Sequence, residues 1–116
     1  MIRVFHCDDS GAFRALLQAQ LEDDADIEIV GGAADVDGAV KGVAATRPDV
    51  VLLDLLDAER DAVAELAQVS PSTRVVVLSG HPREYGERLR GDAVAYVEKD
   101  APLDELRTAV LRAATG

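Results

Sequence analysis

Short apolar runs recur along the chain and predict five strands. They are rich in β-branched residues and cover Ile2–Cys7, Ile27–Val30, Val50–Leu53, Val75–Leu78 and Val94–Val97. The third and fourth runs are apolar at every position, which is typical of strands that are covered on both faces. We therefore expect a sheet that is buried between two layers.

The segments between these strands carry apolar residues at helical spacing. The clearest stripe consists of Phe13, Leu16, Leu17 and Leu21. Ser10 can cap this helix, and Pro102 stands where the last helix opens. The segment 81–90 is the weakest helix prediction, because Gly86 interrupts a thin apolar stripe. Five strands alternating with five helices predict an α/β fold: a doubly wound, five-stranded parallel sheet with helices on both faces.

Composition and charge narrow the function classes. A chain of 116 residues with 48% hydrophobic residues fits a single domain, residues 1–116. A net charge of −10 argues against direct nucleic-acid binding, which depends on Lys and Arg at phosphates. A single cysteine, Cys7, excludes an internal disulfide, and no apolar run is long enough to cross a membrane. We expect a cytoplasmic protein that does not contact membranes.

Residues with reactive side chains follow the strands directly. They are Asp8 and Asp9 after the first, Asp54 after the third, Ser79 after the fourth and Lys99 after the fifth. In a parallel sheet these positions share one edge, where ligands bind. Clustered carboxylates repel each other unless a cation joins them, and Mg²⁺ prefers such oxygen ligands. A carboxylate beside that ion can attack phosphorus, while an ammonium and a hydroxyl contact the phosphoryl oxygens.

Four stretches of the sequence carry a resemblance to a known family. They are Cys7–Ser10, Val50–Leu55, Val75–Gly80 and Tyr96–Asp100. In their order and spacing the chain resembles the receiver domains of two-component response regulators, over nearly its full length. The residues of these motifs are most similar to those of the subfamily that carries a C-terminal helix-turn-helix. The resemblance implies the flavodoxin-like strand order 2-1-3-4-5 and a cytoplasmic phosphoprotein of signal transduction.

The resemblance also implies a role for each residue at the metal site. Asp54 matches the phosphoacceptor. Asp9 matches the acid that ligates the metal directly, and Asp8 matches its partner, which acts largely through water. Leu56 would supply a backbone carbonyl oxygen. The expected cofactor is Mg²⁺ or Mn²⁺.

Further implied roles concern the switch and the partners. Ser79 matches the switch hydroxyl, Lys99 the lysine that contacts the phosphoryl group, and Tyr96 the aromatic whose rotamer reports phosphorylation. Leu56 and His81 stand where the family tunes autodephosphorylation. The implied donor is a sensor histidine kinase or phosphotransfer protein. The surface formed by the fourth helix, fifth strand and fifth helix would be the output face and a site of homodimerisation. Such a domain hydrolyses its own aspartyl phosphate slowly and is not a dedicated enzyme.

The loop after Asp54 departs from the family pattern. Ala58 and Ala62 stand where receivers usually carry proline and glycine. This departure keeps open a pseudo-receiver that acts as a phosphorylation-independent interaction module. A phosphohydrolase with a nucleophilic aspartate is a weaker alternative. Such enzymes usually carry a second acid two residues after the nucleophile, but Leu56 occupies that position and Asp57 follows one residue later. A dinucleotide-binding domain is disfavoured, since no Gly-x-Gly-x-x-Gly motif follows the first strand.

Three further ionisable residues receive structural interpretations. His6 lies inside the first strand, so we interpret it as a packed, neutral core histidine rather than a ligand. Asp57 and Asp61 follow the acceptor and are interpreted as solvated residues at the start of the third helix, where the helix dipole favours them.

Overall fold

The central element is a five-stranded parallel sheet. The computed structural model describes residues 1–54, 61–80 and 93–115. Its strands are β1 (Ile2–Cys7), β2 (Ile27–Ala33), β3 (Val50–Leu53), β4 (Arg74–Ser79) and β5 (Ala95–Glu98). All neighbours pair in parallel, in the order β2-β1-β3-β4-β5. The predicted fold class and strand order are confirmed.

One strand is longer than the apolar pattern predicts. The strand β2 does not end at Val30 but continues to Ala33, because Gly31 to Ala33 pair with Phe5 to Cys7 after the register skips Val30. Two glycines have no apolar side chain to mark a strand, so hydrophobic periodicity ends too early there. The other strand boundaries differ from prediction only at their terminal residues.

Four helices cover the two faces of the sheet in the described part of the chain. They are α1 (Gly11–Leu21), α2 (Val36–Thr46), α3 (Ala62–Val69) and the C-terminal helix α4 (Leu103–Thr115). The helix predicted over 81–90 lies outside the described residues. Ser10 caps α1, since its Oγ accepts a hydrogen bond from the N–H of Phe13 at 3.1 Å. Asp61 caps α3 by accepting from the N–H of Ala64 at 3.0 Å, in agreement with its predicted helix-start role.

The sheet separates two apolar cores. Val51 and Leu53 point to the core under α2 and α3, whereas Val50 and Leu52 point to the core under α1 and α4. All four side chains are fully buried. This explains the continuous apolar run in β3, because both faces of the strand are covered.

The edge at which the strands begin, here called the amino edge, is closed by polar contacts. Arg107 of α4 places its Nε 2.6 Å from Asp24 Oδ2 and its Nη2 2.5 Å from Asp26 Oδ2. Arg3 donates its backbone N–H to Asp49 Oδ2 at 2.8 Å, and its guanidinium donates to the carbonyl of Thr46 at the end of α2. These contacts tie α4 and α2 to the loops beneath the sheet.

Candidate functional site

The opposite edge, where the strands end, is here called the carboxyl edge and collects the predicted acids. Asp8 follows β1 and Asp54 follows β3, and the two strands are neighbours with Cys7 opposite Leu53. The N–H of Asp54 donates to the carbonyl of Cys7 at 2.9 Å, which extends this pairing to Asp54 itself. One carboxylate oxygen from each of Asp8, Asp9 and Asp54 lies within 4.8 Å of the others. The structure therefore brings the three predicted acids together.

Lys99 reaches this cluster from the far side of β4. Ser79 pairs with Glu98 in the register of β4 and β5, so Lys99 stands just beyond the carboxyl edge. Its Nζ lies 2.7 Å from Asp8 Oδ2 and 3.2 Å from Asp54 Oδ2. One ammonium thus bridges the buried acid and the predicted acceptor.

The environment shifts the ionisation of Asp54 and Lys99. Burial raises the pKa of the Asp54 carboxyl; the charges of Asp8 and Asp9 raise it further, while the Lys99 ammonium opposes the shift. Burial lowers the pKa of Lys99, but hydrogen bonds and charges of Asp8 and Asp54 outweigh it, so the net pKa is raised. The ammonium therefore stays protonated, and the Asp54 carboxyl lies among like charges.

Residues at the start of α1 contact Asp8 and Lys99. The N–H of Ser10 donates to Asp8 Oδ1 at 2.9 Å, and Arg14 Nη1 donates to the backbone carbonyl of Asp8 at 2.9 Å. The ring of Phe13 lies under Lys99, with Nζ 4.9 Å from its centroid. Sequence reasoning missed Arg14 and Phe13 as parts of the site. Their position in the helix that directly follows the acid pair is the signal that could have found them.

His6 is a neutral core residue, as predicted. Its imidazole is 3% exposed and packs edge-on against the Phe13 ring, with centroids 5.7 Å apart. Burial lowers its pKa to about 4, although the charge of Asp8 opposes that shift. The neighbouring thiol of Cys7 is buried too, and burial raises its pKa to about 12. Neither group carries charge near neutral pH.

The remaining predicted residues are described unequally. Ser79 is the last residue of β4, at the carboxyl edge. Tyr96 lies in β5 opposite Val77 and is 5% exposed, within the core under α2 and α3. Leu56, with its predicted carbonyl ligand, and His81 lie outside the described residues, as does Asp57.

The donor set fits a magnesium or manganese ion. Asp8, Asp9 and Asp54 offer carboxylate oxygens, the ligand type that hard divalent cations prefer. Asp8 is fully buried, Asp54 is half-buried and Asp9 is exposed, so the cluster is open to solvent on one side. An ion bound there would reduce the repulsion that raises the pKa of Asp54.

Comparison with known proteins identifies the family. The profile of the response regulator receiver domain matches residues 4–111. This chain belongs to that family. Among solved structures, the receiver domain of the putative response regulator NarL from Mycobacterium tuberculosis is similar, with 31% identity, a TM-score of 0.81, and 99% of this chain and 97% of that chain covered. The response regulator domain of Thermotoga maritima CheB has 26% identity and a TM-score of 0.80, with 100% and 98% covered.

The curated relatives are longer than this chain. A protein-glutamate methylesterase/protein-glutamine glutaminase of Bradyrhizobium diazoefficiens is 32% identical over 120 residues, which cover 98% of this chain but 32% of that protein. Other relatives with this name match over 16% to 29% of their length. The similarity to the NarL receiver partly supports the expected closeness to helix-turn-helix regulators. The curated relatives, by contrast, are named as protein-glutamate methylesterases. The chain is thus a receiver domain of two-component signalling, similar to receivers with different outputs.

No helix among residues 1–54, 61–80 and 93–115 is long and apolar enough to span a membrane.

Proposed function

We propose that Asp54 accepts a phosphoryl group from the phosphohistidine of a sensor histidine kinase or phosphotransfer protein. The observation that carries the proposal is the convergence of Asp8, Asp9 and Lys99 on the Asp54 carboxylate. A nucleophile of this kind needs cationic groups to neutralise the incoming phosphoryl oxygens, and the carboxyl edge supplies both an ammonium and a set of metal ligands.

The chemistry is a transfer between two nucleophiles. An oxygen of Asp54 attacks phosphorus, an O–P bond forms, the N–P bond of the donor breaks, and its electron pair returns to the imidazole nitrogen. Asp8, Asp9, Asp54 and the Leu56 carbonyl would hold Mg²⁺ or Mn²⁺, which when bound neutralises phosphoryl oxygens. Lys99 already contacts the acceptor oxygen at 3.2 Å, so a short movement of its ammonium would reach the new phosphoryl group.

The proposal extends to the output of the domain. Ser79 is assigned as the switch hydroxyl, and Tyr96 as the residue that transmits its state to the face around β5 and α4. Binding that favours one arrangement shifts an existing two-state equilibrium. That face would serve homodimerisation, while Leu56 and His81 would tune hydrolysis of the aspartyl phosphate. We further propose that residues 1–116 form one domain, that this domain lies in the cytoplasm, and that it is not itself a dedicated enzyme.

The test uses a small acyl-phosphate donor and intact-mass spectrometry. The wild-type protein should gain the mass of one phosphoryl group in the presence of Mg²⁺ and lose this gain when the ion is chelated. The Asp54→Asn variant should gain nothing. Asp24→Asn is the matched control, because it makes the same chemical change at the amino edge and should leave labelling unchanged.

Two outcomes would overturn the proposal. A labile phosphoryl adduct that persists in Asp54→Asn would mean that another residue is the acceptor. If the wild type took no phosphoryl group and bound beryllofluoride with no spectral change, the domain would be a phosphorylation-independent interaction module. The retained acidic cluster argues against that alternative, since such a module has no need of clustered, mutually repelling carboxylates.

A further inference from the structure

The aromatic side chain under Lys99 has no part in the chemistry described above. Phe13 belongs to the helix that follows the acid pair, and its ring centroid lies 4.9 Å from Lys99 Nζ. An ammonium within about 6 Å of an aromatic face is attracted by the negative potential of the ring. Lys99 therefore contacts three partners: the carboxylates of Asp8 and Asp54, and the face of Phe13.

Two contacts hold Phe13 in place, one through its backbone and one through its ring. Its backbone N–H donates to the capping Ser10 Oγ, which sets the residue within the first turn of α1. The His6 imidazole meets the ring at an interplanar angle of 72°, an edge-to-face arrangement. Because His6 is itself 3% exposed, this contact holds the ring from within the protein.

The geometry gives the ring a specific consequence for the lysine. The Lys99 side chain is 23% exposed, so solvent is available to it as an alternative environment. Its long aliphatic chain has many rotamers, and each one outside the site lowers the fraction of protein with the ammonium in place. A neutral ring in contact with the ammonium favours the inward position without competing as an anion for it.

We propose that Phe13 is a positioning residue that holds the Lys99 ammonium at the phosphoryl site. The inference rests on the proposed function for its consequence in phosphorylation, but the contact itself can be measured in the unphosphorylated protein. The competing interpretation is plain packing, because Phe13 also lies against the apolar core under α1 and α4. The test must therefore report on Lys99 and not only on stability.

The first measurement is an NMR spectrum of the protein labelled with ¹³C at its lysines. Lys41 and Lys99 are its lysines, so selective ¹³C labelling gives two ε-methylene signals, and exposed Lys41 is an internal reference. The Lys99 signal should be displaced by the ring current of Phe13. In Phe13→Leu it should move toward the Lys41 signal, and in Phe13→Tyr it should stay displaced. An unchanged Lys99 signal in Phe13→Leu would overturn the proposal, whether or not Asp54 accepts phosphate.

The second measurement is the rate of phosphorylation from a small acyl phosphate below saturation. Phe13→Leu should slow the reaction roughly two- to fivefold, the range expected for an exposed cation–π contact, and Phe13→Tyr should restore it. Phe5→Leu is the matched control, since it makes the same change in the opposite core and should cost stability without slowing the reaction.

A double-mutant cycle completes the test. In a Lys99→Ala background, Phe13→Leu should cause no further loss of rate, because its effect passes through the lysine. An equal loss in both backgrounds would show that Phe13 acts through packing alone and would overturn the proposal. A wild type that takes no phosphoryl group would instead overturn the proposed function, and the lysine signal would then still decide whether the Phe13 ring contacts Lys99.

Discussion

The two edges of the sheet treat their carboxylates in opposite ways. At the amino edge, Asp24 and Asp26 share the guanidinium of Arg107. At the carboxyl edge, three carboxylates crowd within 4.8 Å of one another, and Lys99 contacts Asp8 and Asp54. Aspartates thus form ion pairs that join structural elements at the amino edge. At the carboxyl edge they form a cluster of three carboxylates that Lys99 contacts.

The ionisation of two aspartates expresses this difference. The hydrogen bond and charge of Arg107 lower the pKa of Asp24, whereas burial and neighbouring acids raise the pKa of Asp54. A lowered carboxyl pKa means that ionisation stabilises the fold, and a raised one means that ionisation costs stability. Perturbed acids that cost stability cluster at functional sites, so the carboxyl edge marks function and the amino edge marks structure.

The largest expected effect is a difference in phosphorylation rate between variants at the two edges. Lys99→Ala should slow phosphorylation of Asp54 by roughly 100-fold, the usual cost of removing one preorganised group that stabilises charge in the transition state. Arg107→Ala removes a cation at the amino edge and should leave the rate within about twofold, while lowering stability. Intact-mass time courses measure both variants. Similar rates for the two would erase the distinction between the edges.

The next effect concerns metal affinity. Asp8→Asn should weaken Mg²⁺ binding by roughly 10- to 100-fold, because it removes one charge from a supporting acid of the cluster. Asp26→Asn, the same change at the amino edge, should leave the affinity unchanged. Calorimetric titration of the unphosphorylated protein measures this directly. Equal affinities in the wild type and Asp8→Asn would remove Asp8 from the metal site.

A stability effect of intermediate size should leave activity intact. A Cβ added at Gly42 in α2 would lie 2.5 Å from the ring of Phe5, which is buried in the core under α2. Gly42→Ala should therefore destabilise the protein by about 1–3 kcal/mol through overpacking. Urea unfolding gives the free energy, and the phosphorylation rate at low temperature should match the wild type. A slowed reaction would mean that strain in this core reaches the carboxyl edge.

The smallest effect is a shift in melting temperature whose sign differs between the two edges. At neutral pH and without metal, Asp54→Asn should raise the melting temperature, and Asp24→Asn should lower it. The stabilisation from ionised Asp24 is present above the unfolded pKa near 3.8 and is lost as pH falls through its lower folded value. Both differences from the wild type should therefore vanish in strong acid. Thermal melts from neutral pH into strong acid test this, and shifts of the same sign at neutral pH would contradict the comparison.

Most of the architecture followed from local pattern. Alternating apolar runs and helical stripes predicted the parallel sheet and both helix layers, because each buried element needs its own apolar periodicity. The strand order was implied by the family resemblance and not by the pattern. The exception was the end of β2, where Gly31 and Gly32 continue a strand with backbone pairing alone. Backbone pairing depends on the neighbouring strand and has no signature in side-chain hydrophobicity.

The site was predicted in part for a similar reason. The topology of a parallel sheet brings Asp8, Asp54 and Lys99 to one edge, so their convergence follows from strand ends alone. The contact of Phe13 with Lys99 depends on rotamers and on the rotation of α1 about its axis. A helical stripe shows which residues face the core but not which one contacts a side chain arriving from β5.

The most direct test of the account is to locate the phosphoryl group within the chain. After reaction with a small acyl phosphate and Mg²⁺, reduction with borohydride converts an aspartyl phosphate to homoserine, and peptide mass spectrometry locates the modified residue. We expect homoserine at position 54, dependent on Mg²⁺ and absent when the ion is chelated. Homoserine at position 8 or 9 instead, or at none of these acids, would contradict the assignment of Asp54 as the acceptor.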